Sequence, residues 1–80
     1  MNINIEKSNG YENFAVENRK KLGAEIKRIR EKKEYSQEDL AVMMNVSRTT
    51  ISKIENGKFN FSIDYLSKFS FFLEFPINLI

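Results

Sequence analysis

Apolar residues recur with helical spacing in the first half of the chain. Leu22, Ile26 and Ile29 are separated by four and three positions, so they form one stripe along a helix. Asn13 is a suitable N-cap, and the pattern predicts a helix from there to about Lys33. Gly23 lies within this helix and is expected to weaken it modestly.

Three further helices are predicted, each preceded by a serine that can serve as its N-cap: Ser36, Ser47 and Ser62. Their expected buried sides are Leu40, Met43 and Met44, then Ile51 and Ile54, then Leu66, Phe69 and Leu73. Asn45 accepts a left-handed backbone, which favours a tight turn between the second and third helices. Gly57 is expected to end the third helix, and Pro76 the fourth. The predicted fold class is all-α.

The two ends of the chain are less defined. Met1, Ile3 and Ile5 alternate with polar residues, which indicates either a short strand or an unstructured tail. We therefore divide the chain into an N-terminal tail (1–12), a helical domain (13–75) and an apolar C-terminal tail (76–80).

Composition excludes several kinds of protein. A chain of 80 residues, 41% of them hydrophobic, fits one small domain whose core is marginal, so pairing with a second copy or with a partner is expected. It contains neither cysteine nor histidine, so we predict no disulfide, no metal site, no cofactor and no enzyme activity. No apolar run is long enough to span a bilayer, and the N-terminus lacks the features of a signal peptide. A cytoplasmic protein without a membrane partner is expected.

Charge is unevenly distributed, although the formal net charge is only +2. Eight cations and two anions lie between Arg19 and Lys33. This run is either a solvated helix face or a surface that faces a polyanion, and charge alone does not decide between the two.

Residues 36–58, SQEDLAVMMNVSRTTISKIENGK, resemble the helix-turn-helix of the Cro/CI (XRE-type) DNA-binding family. The matching residues are Ser36, Gln37, Glu38, Leu40, Ala41, Val46, Ser47, Ile51, Ile54, Glu55 and Gly57. The likeness extends over residues 19–75, and the family often has glycine at the positions of Glu34 and Asn45. The resemblance implies a lambda-repressor-like domain of four to five short helices that binds double-stranded DNA. A short terminal strand at a dimer interface would be compatible with it.

With Ile51 and Ile54 facing inward, the opposite side of the third helix carries Arg48, Thr49, Ser52 and Lys53. In this fold the third helix enters the major groove, so we expect these four residues to read bases, with Arg48 first among them. The resemblance further implies phosphate contacts from Gln37, Ser47, Thr50, Asn56 and Lys58. It also implies a structural ion pair between Arg30 and Glu55.

The end of the chain carries more apolar surface than one small core is expected to absorb. We expect a homodimer interface there, formed by Phe71, Phe72, Phe75, Ile77 and Leu79. The leading prediction is therefore a transcriptional repressor that binds a palindromic operator as a homodimer.

Two alternatives share this sequence pattern. The apolar tail loosely resembles that of HipB-like antitoxins, which would bind a toxin protein and regulate their own promoter. The other alternative is an interaction module without DNA binding, against which Gln37, Arg48, Lys53 and Lys58 argue.

Overall fold

A computed structural model describes residues 5–60 and 62–78, with side chains from residue 10 onward. It contains four helices: α1 (Ile5–Lys32), α2 (Gln37–Met44), α3 (Arg48–Glu55) and α4 (Ile63–Leu73). The described residues include no strand, and the prediction of an all-α fold is confirmed. Residues 75–78 have no regular secondary structure. The expected terminal strand also depends on Leu79 and on residues 1–4, and these lie outside the described residues.

The predicted start of α1 is wrong. The helix begins at Ile5 rather than after an N-cap at Asn13, so most of the predicted tail 1–12 is helical. Gly10 opposes this extension by only about 1 kcal/mol, and no proline interrupts it. Periodicity did not reveal it because Tyr11 and Phe14 are both exposed, so neither continues the apolar stripe of Leu22, Ile26 and Ile29.

The N-caps of the other three helices are confirmed. The hydroxyl oxygens of Ser36, Ser47 and Ser62 accept hydrogen bonds from backbone N–H groups three residues on, at 2.9, 3.1 and 3.3 Å respectively. Each bond satisfies one of the donors that a helix start leaves without a partner. At Ser36 the bond is reciprocal, since the Asp39 carboxylate accepts from the Ser36 N–H at 2.9 Å.

Three described residues other than glycine have a left-handed backbone: Glu34, Asn45 and Glu74, which follow α1, α2 and α4. Asn45 joins α2 to α3 with φ 56° and ψ 48°, as its tolerance of this conformation predicts. Glu34, just after α1, has φ 63°.

A single core lies between the four helices. Its fully buried apolar residues are Ile26, Leu40, Ala41, Met44, Ile51, Ile54, Phe69 and Leu73. Most of them belong to the predicted stripes. Leu22 and Ile29 are half-buried and pack against this core, and Leu66 is half-buried as well. The core therefore fixes α2 and α3 against α1 and α4, which determines the face that α3 presents to solvent.

Candidate nucleic-acid interface

Helix α3 has one buried side and one solvent side. Ile51, Ile54 and Glu55 are buried. Arg48, Thr49 and Lys53 are exposed, and Ser52 is half-buried. The four residues expected to read bases therefore share the outer side of one helix, where short side chains flanked by an arginine and a lysine allow close approach to another molecule.

The N-terminal end of α3 holds two of the expected phosphate-binding residues. The Ser47 hydroxyl accepts the Thr50 N–H at 3.1 Å, and the two hydroxyl oxygens lie 2.8 Å apart. Ser47 is exposed and Thr50 is half-buried. This arrangement orders both hydroxyls beside the helix start, where free N–H groups and the helix dipole favour an anion.

Two more of the expected phosphate-binding residues, Asn56 and Lys58, follow the C-terminal end of α3. The Asn56 amide donates to the Ser52 carbonyl at 2.9 Å and lies 3.4 Å from the Ser52 hydroxyl, so its nitrogen is turned back toward the helix. Lys58 is exposed, and its N–H donates to the Lys53 carbonyl at 2.8 Å. Gly57, with φ 71°, makes this sharp helix exit possible.

Arg30 and Glu55 form a buried ion pair between α1 and α3. The Arg30 Nε donates to Glu55 Oε2 at 2.6 Å, and Nη2 donates to Oε1 at 3.0 Å. Arg30 also donates to the Tyr35 carbonyl at 2.6 Å. The hydrogen bond with Glu55 raises the pKa of Arg30, against the opposing effect of burial. The pair thus ties the end of α1, the loop before α2 and the end of α3 together.

Gln37 has a contact that the sequence did not reveal. Its Nε2 donates to Glu55 Oε1 at 3.0 Å, and its side chain is half-buried at the first position of α2. The sequence predicts only a phosphate contact for Gln37, because a pairing across 18 positions depends on how α2 and α3 pack and leaves no local signal.

The basic run on α1 is partly neutralised. Four of its eight cations have a carboxylate partner among the described residues: Lys20 with Glu17, Arg28 with Glu25, Arg30 with Glu55, and Lys33 with Glu74. Three of these pairs lie at the surface, where their contribution to stability is small. Nevertheless, each pair reduces the charge that α1 offers to a polyanion.

The expected dimer residues differ in exposure. Phe71 is 76% exposed and Ile77 is 41% exposed, whereas Phe72 and Phe75 are half-buried and pack against the core. The rings of Phe71 and Phe72 meet edge to face, with centroids 5.0 Å apart. Leu79 lies outside the described residues. We call Phe71, Phe72, Phe75 and Ile77 the apolar patch at the end of α4; Phe71 is the most exposed of the four.

Two short helices joined by a tight turn, with the second presenting a polar and basic outer face, define a helix-turn-helix domain of the DNA-binding kind. The sequence profile of the helix-turn-helix family matches residues 26–79. The chain belongs to this family, in its Cro/CI (XRE-type) branch. The family consists of DNA-binding transcriptional regulators rather than enzymes.

Two relatives support this assignment. The ImmF control region 10 kDa protein of Bacillus phage phi105 is 38% identical over 61 residues, which cover 76% of this chain and 68% of that protein. Control protein C.MunI of Mycoplasma sp is 43% identical over 51 residues, which cover 62% of this chain and 69% of that protein.

Within residues 5–60 and 62–78, no helix is both long and apolar enough to cross a membrane.

Proposed function

We propose that the chain is a sequence-specific repressor that acts in the cytoplasm and binds a palindromic operator as a homodimer. The single observation that carries this proposal is the outer side of α3. Arg48, Thr49 and Lys53 are exposed there while Ile51 and Ile54 anchor the helix from behind. A rigid helix with short side chains and one arginine suits the major groove, because arginine can pair with both acceptors of a guanine edge.

The residues that flank this face are proposed to hold the DNA backbone. Gln37 begins α2, Ser47 and Thr50 surround the start of α3, and Asn56 and Lys58 follow its end. Such contacts fix the position of the helix in the groove without reading sequence. Asn56 donates one amide N–H to the Ser52 carbonyl, which leaves at most one N–H for a phosphate; we therefore assign the main contact at this end to Lys58.

The apolar patch at the end of α4 is proposed as the dimer interface, with Phe71 at its centre. Two copies related by a two-fold axis would present two recognition helices to half-sites about 34 Å apart, one turn of DNA. The names of both relatives refer to control, which supports a regulatory role.

Selection of bound duplexes from a random DNA pool tests this proposal. The expected result is an enriched inverted repeat whose half-sites are separated by about one helical turn. Repression is then tested by placing that repeat over a reporter promoter, which the protein should silence. A folded protein that enriches no sequence would contradict the proposal, and an enriched site without two-fold symmetry would contradict the homodimer.

A further inference from the structure

Glu55 is shared by two partners from different helices. Its side chain is 1% exposed, and its Oε1 accepts from both Arg30 Nη2 and Gln37 Nε2, each at 3.0 Å. The second carboxylate oxygen is held by Arg30 Nε at 2.6 Å. The carboxylate therefore has a fixed orientation before any DNA is present.

This arrangement also fixes the orientation of the Gln37 amide. A carboxylate oxygen accepts hydrogen bonds and repels another oxygen, so the nitrogen of the amide must face Glu55. One N–H bond is used there. The amide is planar, so its second N–H and its carbonyl oxygen are held in set directions at the half-buried start of α2.

We infer that Glu55 is a positioning residue for the DNA-backbone contact of Gln37. A glutamine that is already ordered loses less side-chain freedom when it donates to a phosphate than one that is free to rotate. The buried pair then serves DNA binding through Gln37 without itself touching DNA. This inference rests on the proposed phosphate contact of Gln37.

Replacing the whole ion pair tests the inference better than removing Glu55 alone, which would leave the Arg30 charge buried without a partner. A buried pair replaced by apolar residues of similar size often retains the fold. We would compare four proteins on one selected operator: the natural chain, Gln37→Ala, the pair variant Arg30→Met with Glu55→Met, and the combination of all three substitutions. Thermal unfolding is followed in each.

The inference predicts that Gln37→Ala weakens binding by about tenfold. The folded pair variant should lose a similar factor, and the combination should lose no more than either. A pair variant that binds DNA like the natural chain, or a combination in which the two losses multiply, would overturn the positioning role. If Gln37→Ala leaves the affinity unchanged, the proposed phosphate contact of Gln37 is wrong, and Glu55 then has no DNA contact to position.

A second measurement does not depend on the variants folding. Gln37 is the only glutamine in the chain, so its side-chain amide gives one assignable pair of signals in a ¹⁵N NMR spectrum. In the DNA-free protein, the relaxation of this amide should show order close to that of the helix backbone. An amide that rotates freely without DNA would overturn the inference.

Discussion

The backbones of α1 and α3 touch at Gly23 and Ile54. A Cβ atom at Gly23 would lie 2.2 Å from the Ile54 carbonyl oxygen and 2.9 Å from that of Glu55. No side chain fits at such a distance, so glycine lets the two helices cross closely. The crossing sets how α3 is presented to solvent, since the buried residues of α3 pack at the same place.

Gly23→Ala should therefore destabilise the protein by about 2 kcal/mol or more, because the clash is with backbone and no rotamer relieves it. This loss should outweigh the gain of up to about 1 kcal/mol in helix propensity. Gly10→Ala is the matched control in the same helix, since a Cβ there meets nothing within 4 Å. That control should be neutral or stabilising. Chemical denaturation measures both, and a Gly23→Ala protein as stable as the control would contradict the close crossing.

Glu34→Gly should stabilise the fold by about 1 kcal/mol. Glu34 has φ 63°, a conformation that costs a residue with a Cβ atom roughly 1–2 kcal/mol and costs glycine little. Glu31→Gly, one turn earlier within α1, should instead lower stability by about 1 kcal/mol, because the backbone there is helical. Opposite signs for these two substitutions are expected in denaturant titrations. The same sign for both would mean that the turn after α1 is not left-handed.

Asp39 should make the free energy of unfolding depend on pH in the acidic range. Its hydrogen bonds with the backbone and side chain of Ser36 lower its pKa below the ordinary value of 3.8. Ionised Asp39 thus stabilises the fold at pH values above 3.8, and this contribution is lost as the pH falls through the lower pKa of the folded state. The difference in unfolding free energy between the natural chain and Asp39→Asn should be constant from about pH 7 to 5 and shrink below 3.8. A difference that stays constant down to pH 3 would contradict the capping role of the carboxylate.

Phe71→Asp should weaken self-association by about 30-fold or more, because a charge would replace an aromatic anchor at the centre of the proposed interface. Val42→Asp is the control, since Val42 is also apolar and 76% exposed but lies on α2. Sedimentation equilibrium measures the dimer fraction of each. If Phe71→Asp leaves the dimer intact, the interface lies elsewhere, and the patch becomes a candidate surface for a different protein, as the antitoxin alternative requires.

The parts of the fold that local chemistry determines were predictable from the sequence. Ser36, Ser47 and Ser62 mark three helix starts because a cap needs only a side-chain oxygen near its own N–H groups. The turn at Asn45 follows from the conformational tolerance of one residue. The outer side of α3 follows from the spacing of Ile51 and Ile54.

Features that depend on packing between helices were missed or misread. The sequence predicts only that Gly23 weakens α1, whereas in the structure it makes room for the backbone of α3. The start of α1 was missed for a different reason, since Tyr11 and Phe14 are exposed and do not continue the apolar spacing of the helix. The bond between Gln37 and Glu55 joins residues 18 positions apart, and nothing in the local sequence of either residue indicates it.

We propose that the outer side of α3 reads bases while Lys58 holds the DNA backbone. We would measure the affinities of the natural chain, Arg48→Ala and Lys58→Ala for the selected operator and for operators changed at one base pair, at several salt concentrations. Lys68→Ala, on the exposed surface of α4, controls for the loss of one charge.

We expect Arg48→Ala to remove discrimination of roughly 1–3 kcal/mol at one position in each half-site. Lys58→Ala should weaken all sequences alike and lower the salt slope by about one. Equal effects of the two substitutions on specificity, or full discrimination retained by Arg48→Ala, would contradict the claim.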